Sequence, residues 1–313
     1  MLYYIYQTIF HFEDSIYLRY FVFSSSVMNT HLECIPCTVS SYLRLVESGV
    51  IPPGKQEELM RRMLGFLSEA DYKNSPPEMG AELHRMIRAS LGDPDPYLKV
   101  KEKYNRMMLE LYPSFKRMVE ESETPFETAM RLAIGGNVID FGAKYQFAVM
   151  DTIQGALDSE LAIDDSDQLK KALSAAHKIL YIGDNCGEIV MDRLFLEHID
   201  VDEKTFVVRG GPVINDITVD DARLVGMDKV ARVVSTGDDS PGAVWERTSE
   251  EFRSLFMEAD VVISKGQGNL EGLMEVKHRD LYFLLLTKCD LIAERIGTLK
   301  GGFVVKKGKG LTQ

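Results

Sequence analysis

The stretch ILYIGDNCGE, residues 179–188, places a short apolar run directly before a cluster of small and polar residues. Residues 179–182 have the length and composition of a buried β-strand, and the Gly and Asn residues that follow mark its end. Similar β-rich runs alternate with helical stretches downstream, at residues 205–208, 231–234, 261–263, 282–286 and 303–305. This alternation predicts a three-layer α/β/α fold, in which helices cover both faces of a mainly parallel sheet.

The residues upstream of this pattern, 28–165, have a helical period instead. Apolar residues recur three and four positions apart, as Leu59, Met63 and Phe66 do. Such spacing is typical of amphipathic helices, and Pro-rich breaks such as 75–77 mark their boundaries, with Ser75 or Asp93 as N-caps. We therefore expect an N-terminal all-helical domain at 28–165 and a Rossmann-like α/β domain at 166–313.

The first 27 residues, MLYYIYQTIFHFEDSIYLRYFVFSSSV, are rich in Tyr, Phe and Ile. Glu13, Asp14 and Arg19 interrupt the apolar runs well before membrane-spanning length, and a basic leader is missing. The segment therefore predicts neither a transmembrane helix nor a signal peptide. We expect a non-native or disordered extension with Met28 as the natural start; a surface strand is the alternative.

The composition excludes several classes of partner. The 313 residues are 45% hydrophobic, enough for a substantial core, and carry 36 basic and 48 acidic residues, a formal charge of −12. This charge repels nucleic acid and anionic membranes. Four cysteines do not form the disulfide framework of a small secreted domain, so we expect a cytoplasmic protein. We expect a monomer or small homo-oligomer.

Polar clusters follow most of the predicted strands, at residues 183–188, 209–216, 235–239, 264–269 and 287–288. In open α/β sheets, ligands bind outside the carboxyl ends of the strands. We therefore expect these clusters to form one site.

The chemistry of the clusters is directed at metal and phosphate. Asp184, Asn185 and Asp216 supply hard oxygen donors that suit Mg²⁺ or Mn²⁺. Lys265 lies in a Gly-rich turn that would open a helix, and it offers a charge beside backbone N–H groups for a phosphate. Each cluster alone also fits a structural turn or N-cap. Their joint placement favours a phosphoryl-transfer site, whereas Asp238 and Asp239 are expected to be solvated loop charges.

At these residues the sequence resembles the metal-dependent damage-control phosphatases, also called domain of unknown function 89. The resemblance covers nearly all of residues 28–313. It rests on CIPC at 34–37, GGNVID at 135–140, GDNCGE at 183–188, ND at 215–216 after RGG at 209–211, and SKGQGN at 264–269. The paired cysteines suggest the family's mostly prokaryotic branch.

The resemblance implies that Asp184, Asn185 and Asp216 are catalytic and bind a divalent cation such as Mn²⁺, Mg²⁺, Co²⁺ or Ni²⁺. Residues expected to contact the substrate or its phosphate are Asn137, Asp140, Glu188, Asn215, Lys265, Gly266, Gly268, Asn269 and Lys288. Eukaryotic members have an Arg-Thr-x-Lys motif where this chain has LLTK at 285–288. The lysine is retained and the arginine is lost, so their sugar-phosphate preference does not transfer directly.

The function expected from this site is hydrolysis of small phosphorylated metabolites, such as sugar or nucleotide-precursor phosphates. Asp184 could attack phosphorus itself, or remain a ligand while a metal-bound water attacks. A second hypothesis is a non-catalytic regulatory protein that binds a phosphorylated metabolite. Metal donors favour the hydrolase, because binding alone can be achieved without a cation. Methyl transfer to carboxylates is a third idea, and no Gly-x-Gly-x-Gly loop supports it.

The cysteines and histidines leave alternatives open. Cys34 and Cys37 could bind a softer second metal, with Cys186 and Cys289 completing a four-thiolate site. Helix-start packing and redox sensing are the alternatives. The histidines have no partner at ligand spacing and are expected at surfaces or helix ends; these are His31, His84, His177, His198 and His278.

Overall fold

The computed structural model of the protein describes residues 28–136 and 146–310. Its helices are α1 Cys34–Glu47, α2 Gln56–Glu69, α3 Pro76–Leu91, α4 Leu98–Glu120, α5 Pro125–Gly135, α6 Gln146–Asp158, α7 Ser166–Leu173, α8 Glu188–Glu197, α9 Val219–Leu224, α10 Glu250–Glu258, α11 Gly266–Leu273 and α12 Asp290–Ile296. Its strands are β1 Leu161–Asp164, β2 Lys178–Ile182, β3 Glu203–Val208, β4 Arg232–Ser235, β5 Val261–Lys265, β6 Leu281–Leu286 and β7 Phe303–Lys307. The expectation for residues 1–27 lies outside the described residues.

The strands form one sheet in the order β1-β7-β6-β5-β2-β3-β4. Strands β2 to β6 run parallel to their neighbours, β7 is antiparallel to β6, and β1 is parallel to β7. The predicted three-layer fold with a mainly parallel sheet is therefore confirmed. Strand β1 was not predicted and lies within the stretch expected to be all-helical. Its four residues alternate between half-buried and exposed, so they lack the apolar run of a central strand.

Apolar clusters cover both faces of the sheet. On one face, helices α4 to α9 pack against strand side chains such as Tyr181, which stacks on Phe206 with ring centroids 5.5 Å apart. On the other face, helices α10 to α12 pack against residues such as Val262 and Phe283. Both faces are covered because successive side chains of a strand point to opposite faces of the sheet.

Helices α1 to α3 form a third apolar cluster of their own, around Tyr42, Met63 and Leu83. Helices α4 to α6 instead belong to the cluster on the sheet. The helical region thus continues into the cover layer of the sheet, and one core crosses the predicted boundary at residue 165. Within the described residues, no helix is both long enough and apolar enough to cross a bilayer.

Helix α3 begins and ends at residues with clear capping roles. The Ser75 side chain accepts a hydrogen bond from the Glu78 backbone N–H, and the Glu78 carboxylate accepts one from the Ser75 N–H at 2.8 Å. The helix ends at Gly92, whose φ of 65° is the left-handed conformation of a C-cap. Ser75 is therefore the predicted N-cap. Asp93 caps no helix, because α4 begins at Leu98.

Arginines on α3 join the N-terminal helices to the loop after β4. Arg85 donates to Asp238 at 3.2 Å and also pairs with Asp239, and Arg88 pairs with Asp239 as well. The expectation that Asp238 and Asp239 are solvated loop charges is therefore wrong. Both carboxylates are largely buried, and they hold α3 against the sheet edge where the polar clusters meet.

Candidate active site

The loops after β2 and β3 meet through backbone hydrogen bonds. Asn185 and Asp216 form an isolated antiparallel bridge, and the Ile217 N–H donates to the Asp184 carbonyl at 3.1 Å. Parallel neighbours end at the same edge, so the two loops need only this short bridge to align. The structure therefore brings together the three residues predicted to bind the cation, although 31 positions separate Asn185 from Asp216.

A buried arginine lies between the two aspartates. Arg209 Nε donates to Asp216 Oδ2 at 2.6 Å, and Nη2 donates to Asp184 Oδ1 at 3.2 Å. The Asn185 amide donates to Asp184 Oδ2 at 2.6 Å. Nη1 of Arg209 is buried without a hydrogen-bond partner among the described residues. Arg209 was quoted only as part of a polar cluster; its position at the end of a buried strand was the available signal.

A second buried ion cluster lies around Lys265. Its ammonium donates to Glu188 at 2.5 Å, to Asp192 at 2.6 Å and to the Ala133 carbonyl at 2.8 Å. These contacts occupy the three hydrogens of the ammonium, and the side chain is fully buried. The geometry therefore differs from the expectation that Lys265 and Glu188 contact the phosphate, since the two side chains satisfy each other beneath the cleft.

Asp192 is the member of this cluster that the sequence analysis missed. It accepts a hydrogen bond from the Tyr181 hydroxyl at 2.6 Å in addition to that from Lys265. Asp192 lies four residues after Glu188 in α8, and therefore on the same helix face. An acidic pair at this spacing among the apolar residues of the first turns of α8 was the signal for a shared buried cation.

The charges of the two clusters do not balance. Two buried carboxylates surround Arg209 and two surround Lys265, so within these two clusters of described residues the ionised acids would outnumber the cations, a deficit of two positive charges. Burying more acids than cations is costly. Burial accordingly raises the pKa of Glu188 to about 7, against the opposing effect of Lys265. Burial raises the pKa of Asp216 to about 7 in the same way, against Arg209.

One divalent cation would remove this deficit. The donor set of Asp184, Asn185 and Asp216 consists of two carboxylates and an amide, which are hard oxygen ligands that fit Mg²⁺ or Mn²⁺. The described residues contain no group of three His, Cys, Asp or Glu side chains that could hold a metal, and this site is no exception. The fit therefore depends on the amide of Asn185 as the third ligand, with its oxygen turned to the cation.

A cleft of about 540 Å³ opens above these residues. Residues following all five parallel strands line it, namely Asp184, Asp216, Pro241, Gln267 and Lys288. Four of the five predicted polar clusters therefore contribute to one cleft; the cluster at 235–239 does not line it, and the loop after β4 contributes Pro241 instead. Its volume is suited to a small metabolite. Asn215 and Gly268, expected to contact substrate, also line the cleft.

Lys288 differs from Lys265 in facing the cleft with an exposed side chain. Its backbone N–H donates to the Gln267 side chain at 2.8 Å, and Gln267 donates to Glu271 at 2.8 Å. Burial raises the pKa of Glu271 to about 7, although Gln267 and Lys288 oppose the shift. Gln267 belongs to the cluster predicted at 264–269, whereas Glu271 was not predicted as a cleft residue. They lie four apart at the start of α11, one helix face directly after the Gly-rich turn.

Gly266 and Asn269 shape the cleft from below. Gly266 has a φ of +77°, and a Cβ there would lie 2.0 Å from Asp184 Oδ2, so a side chain would displace this carboxylate. Asn269 is buried; it donates to the Gly183 carbonyl at 3.1 Å and accepts from the Ala243 N–H at 2.7 Å. Its amide therefore joins the loops after β2 and β4 to the start of α11. These contacts differ from the phosphate contact that was expected.

The predicted residues Asn137 and Asp140 lie outside the described residues. Two histidines expected at surfaces or helix ends are buried, His84 and His278. His84 Nδ1 lies 2.5 Å from the hydroxyl of Tyr97, a cleft residue, and burial together with Arg88 lowers the pKa of His84 to about 3.

The cysteines occupy two separate environments. Cys186 is buried, with Sγ 4.0 Å from the Asp216 carbonyl. Cys34 lies near Glu271, Cys289 and Cys37, and burial and these groups raise its pKa. All four cysteines are free thiols, and no three metal-binding side chains are grouped in the described part of the chain. The four-thiolate hypothesis therefore gains no support from the structure.

A larger cavity of about 730 Å³ lies at the opposite edge of the sheet. Lys178, Glu203 and Arg232, the first residues of β2, β3 and β4, line it. Lys178 and Glu203 form an exposed ion pair at 3.4 Å. This cavity has no cluster of buried acids, so its chemistry is that of a solvated surface groove.

A mainly parallel α/β sheet, with a buried acidic cluster and a small cleft at its carboxyl edge, defines an α/β protein built to bind a small ligand. Residues 30–302 match the family model described as the damage-control phosphatase ARMT1-like domain. The chain therefore belongs to this family, as its motifs predicted.

Individual relatives agree with this assignment. The chain is 33% identical over 287 residues to the damage-control phosphatase PH1575 of Pyrococcus horikoshii, covering 90% of this chain and 99% of that protein. It is 34% identical over 252 residues to a damage-control phosphatase of Archaeoglobus fulgidus, covering 78% and 86%. The crystal structure of the DUF89 family protein PH1575 matches with a TM-score of 0.83 at 32% identity, covering 90% of this chain and all of that one, 100%. The membership of a CxxC branch stays a prediction.

Proposed function

We propose that this protein is a metal-dependent phosphatase that hydrolyses small phosphorylated metabolites, such as sugar or nucleotide-precursor phosphates. The observation that carries the proposal is the convergence of three hard oxygen donors, Asp184, Asn185 and Asp216, in the lining of one small cleft. Relatives named damage-control phosphatases support the same activity. Removal of damaged or surplus metabolites is the role that we propose.

Five residues in or beside the cleft have specific roles in this proposal. Asp184, Asn185 and Asp216 would hold the cation, which when bound polarises phosphoryl oxygens and offsets charge in the transition state. Arg209 donates one hydrogen bond to each aspartate and so fixes their positions. Lys288 makes no side-chain ion pair among the described residues, so its ammonium can bind a phosphate oxygen.

We also propose Asp184 as the nucleophile. Its carboxylate oxygen would form a bond to phosphorus as the bond to the ester oxygen breaks, and the released alcohol would take up a proton. Water would then hydrolyse the aspartyl-phosphate. Acid-quenched reactions would retain phosphate on the protein under this mechanism, and a single turnover without any phosphorylated protein would favour direct attack by water.

The activity is tested with purified protein, a chromogenic aryl phosphate, and Mn²⁺, Co²⁺, Ni²⁺ or Mg²⁺. We expect turnover that EDTA abolishes, and a loss of about three orders of magnitude in kcat for Asp184→Asn, because the cation contributes several kcal/mol. Asp228→Asn, an exposed residue at the opposite sheet edge, is the control and should retain full activity. If no metal gives turnover while a phosphate ester still binds tightly, the alternative of a non-catalytic regulatory protein is favoured.

A further inference from the structure

One wall of the cleft comes from α1, the helix opposite the carboxyl edge of the sheet. Ser41, Arg44, Leu45 and Ser48 line the cleft, and their spacing of three and four residues places them on one helix face. Leu45 is buried in the cluster of helices α1 to α3 and anchors this face. Arg44 is exposed and therefore projects from an anchored helix rather than from a loop.

The cations that line the cleft differ in their partners. Lys101 is buried and paired with Asp95 at 2.8 Å and Asp221 at 3.1 Å. In the described part of the chain, Arg44 and Lys288 make no side-chain ion pair, although acidic residues outnumber basic ones in the whole protein. Lys288 acts on the acids Asp216 and Glu271 in the cleft and opposes the rise in their pKa. Arg44 has no acid within ion-pair distance among the described residues, so an oxyanion of a ligand in the cleft can be its partner.

A single phosphoryl group would not use both cations equally. Lys288 follows β6 at the edge that carries Asp184 and Asp216, whereas Arg44 belongs to the helical wall. A guanidinium binds planar or tetrahedral oxyanions through two parallel hydrogen bonds. The cleft therefore offers one cation to the reacting phosphoryl group and a second to another part of the same molecule.

We propose that Arg44 binds a second oxyanion of the substrate, a carboxylate or a further phosphate remote from the reacting one. The preferred substrates are then small phosphate esters that carry two separate anionic groups. Arg44 is in this account a specificity-determining residue that contacts the part of the substrate that is not transferred. The inference rests on the proposed phosphatase activity and defines its substrate class.

The test compares substrates that differ in one anionic group. The first pair is 6-phosphogluconate and glucose 6-phosphate, and the second is fructose 1,6-bisphosphate and fructose 6-phosphate. The wild-type protein, with the metal that gives most turnover of aryl phosphate, should show a kcat/KM about 10-fold or more higher for the dianionic member of at least one pair. Preference in the first pair alone assigns a carboxylate, in the second alone a phosphate, and in both a general oxyanion site.

Arg44→Met keeps an unbranched side chain about as long as the stem of arginine and removes the guanidinium and its charge. We expect the preference ratio to fall about 10- to 100-fold, mainly through KM, because the lost contact is made in the ground state and transition state alike. Arg44→Lys should restore part of the ratio. Arg61→Met, which removes an exposed arginine of α2 paired with Glu57, is the matched control and should leave the ratio unchanged.

The outcomes separate this inference from the proposed activity. Turnover of esters without a preference for either dianionic member, or with a preference that survives in Arg44→Met, overturns the role of Arg44 while the phosphatase stands. If no ester is hydrolysed with any metal, the proposed activity fails, and calorimetric titration of 6-phosphogluconate and fructose 1,6-bisphosphate into wild type and Arg44→Met decides the inference. Equal affinities would then overturn it, and weaker binding by the variant would support it.

Discussion

Lys265 and Lys288 lie at the ends of neighbouring strands at one sheet edge, yet their surroundings are opposite. Helix α8 passes beneath Lys265 and presents Glu188 and Asp192, so this lysine is buried and fully hydrogen-bonded. None of the described helices covers Lys288 in this way, and its side chain faces the cleft. The role of a lysine at a strand end is therefore set by what packs against it, not by its position in the motif.

The largest effect is expected from Lys265→Met. The substitution leaves two buried carboxylates without their cation, so we expect the free energy of unfolding to fall by about 3–5 kcal/mol. Urea denaturation at neutral pH in EDTA measures this change. Lys288→Met is the matched control and should change stability by less than about 0.5 kcal/mol, as for other exposed positions. Equal effects of the two substitutions would contradict the contrast between the two lysines.

Lys288, whose replacement should hardly change stability, is expected to matter for catalysis. Lys288→Ala removes a charge that faces the cleft and should lower kcat/KM for an aryl phosphate about 10- to 100-fold, since a charge-assisted hydrogen bond contributes about 1.5–3 kcal/mol. Initial-rate kinetics give the change, and Lys306→Ala on β7 provides a control outside the cleft. Unchanged kinetics in Lys288→Ala would show that the phosphate binds elsewhere.

A smaller effect on stability is expected from another buried ionisable side chain, His84, and it depends on pH. The unfolded chain protonates His84 near pH 6.5, whereas burial and Arg88 hold the folded pKa at about 3. Between these values the unfolded state binds more protons, so stability falls as the pH decreases through this window. Wild type should lose up to about 1.4 kcal/mol more per pH unit than His84→Gln below pH 6.5. Urea denaturation at pH 5 and pH 7 tests this, and equal losses would contradict it.

Much of the fold follows from local patterns in the sequence. The central strands were predictable because each is a nearly continuous apolar run that ends in Gly or polar residues, and parallel order then places those ends at one edge. Strand β1 was missed because its four residues alternate between half-buried and exposed and form no continuous apolar run. The antiparallel direction of β7 was not predictable either, since direction depends on the connection after α12 and not on composition.

The sequence predicted which residues belong to the candidate site better than it predicted what each of them contacts. Asp184 and Asp216 were found because both follow buried strands, and the bridge between their loops places them together. The partners of Lys265 in the structure differ from the expected phosphate because they come from α8, whose packing cannot be inferred from the local sequence. Arg209 was passed over because a buried arginine between acids looks, in sequence, like any basic residue in a loop.

The contacts of Arg85 and Arg88 with Asp238 and Asp239 also constrain synthesis of the protein. These pairs join segments 151 to 154 residues apart, and Lys288 lies further along still. On the ribosome, helices α1 to α3 emerge long before their acidic partners, so the cleft closes only when nearly the whole chain is available. Such non-local closure is slow. A nascent chain thus carries no complete cleft until the segment with Lys288 has been made, close to the end of translation.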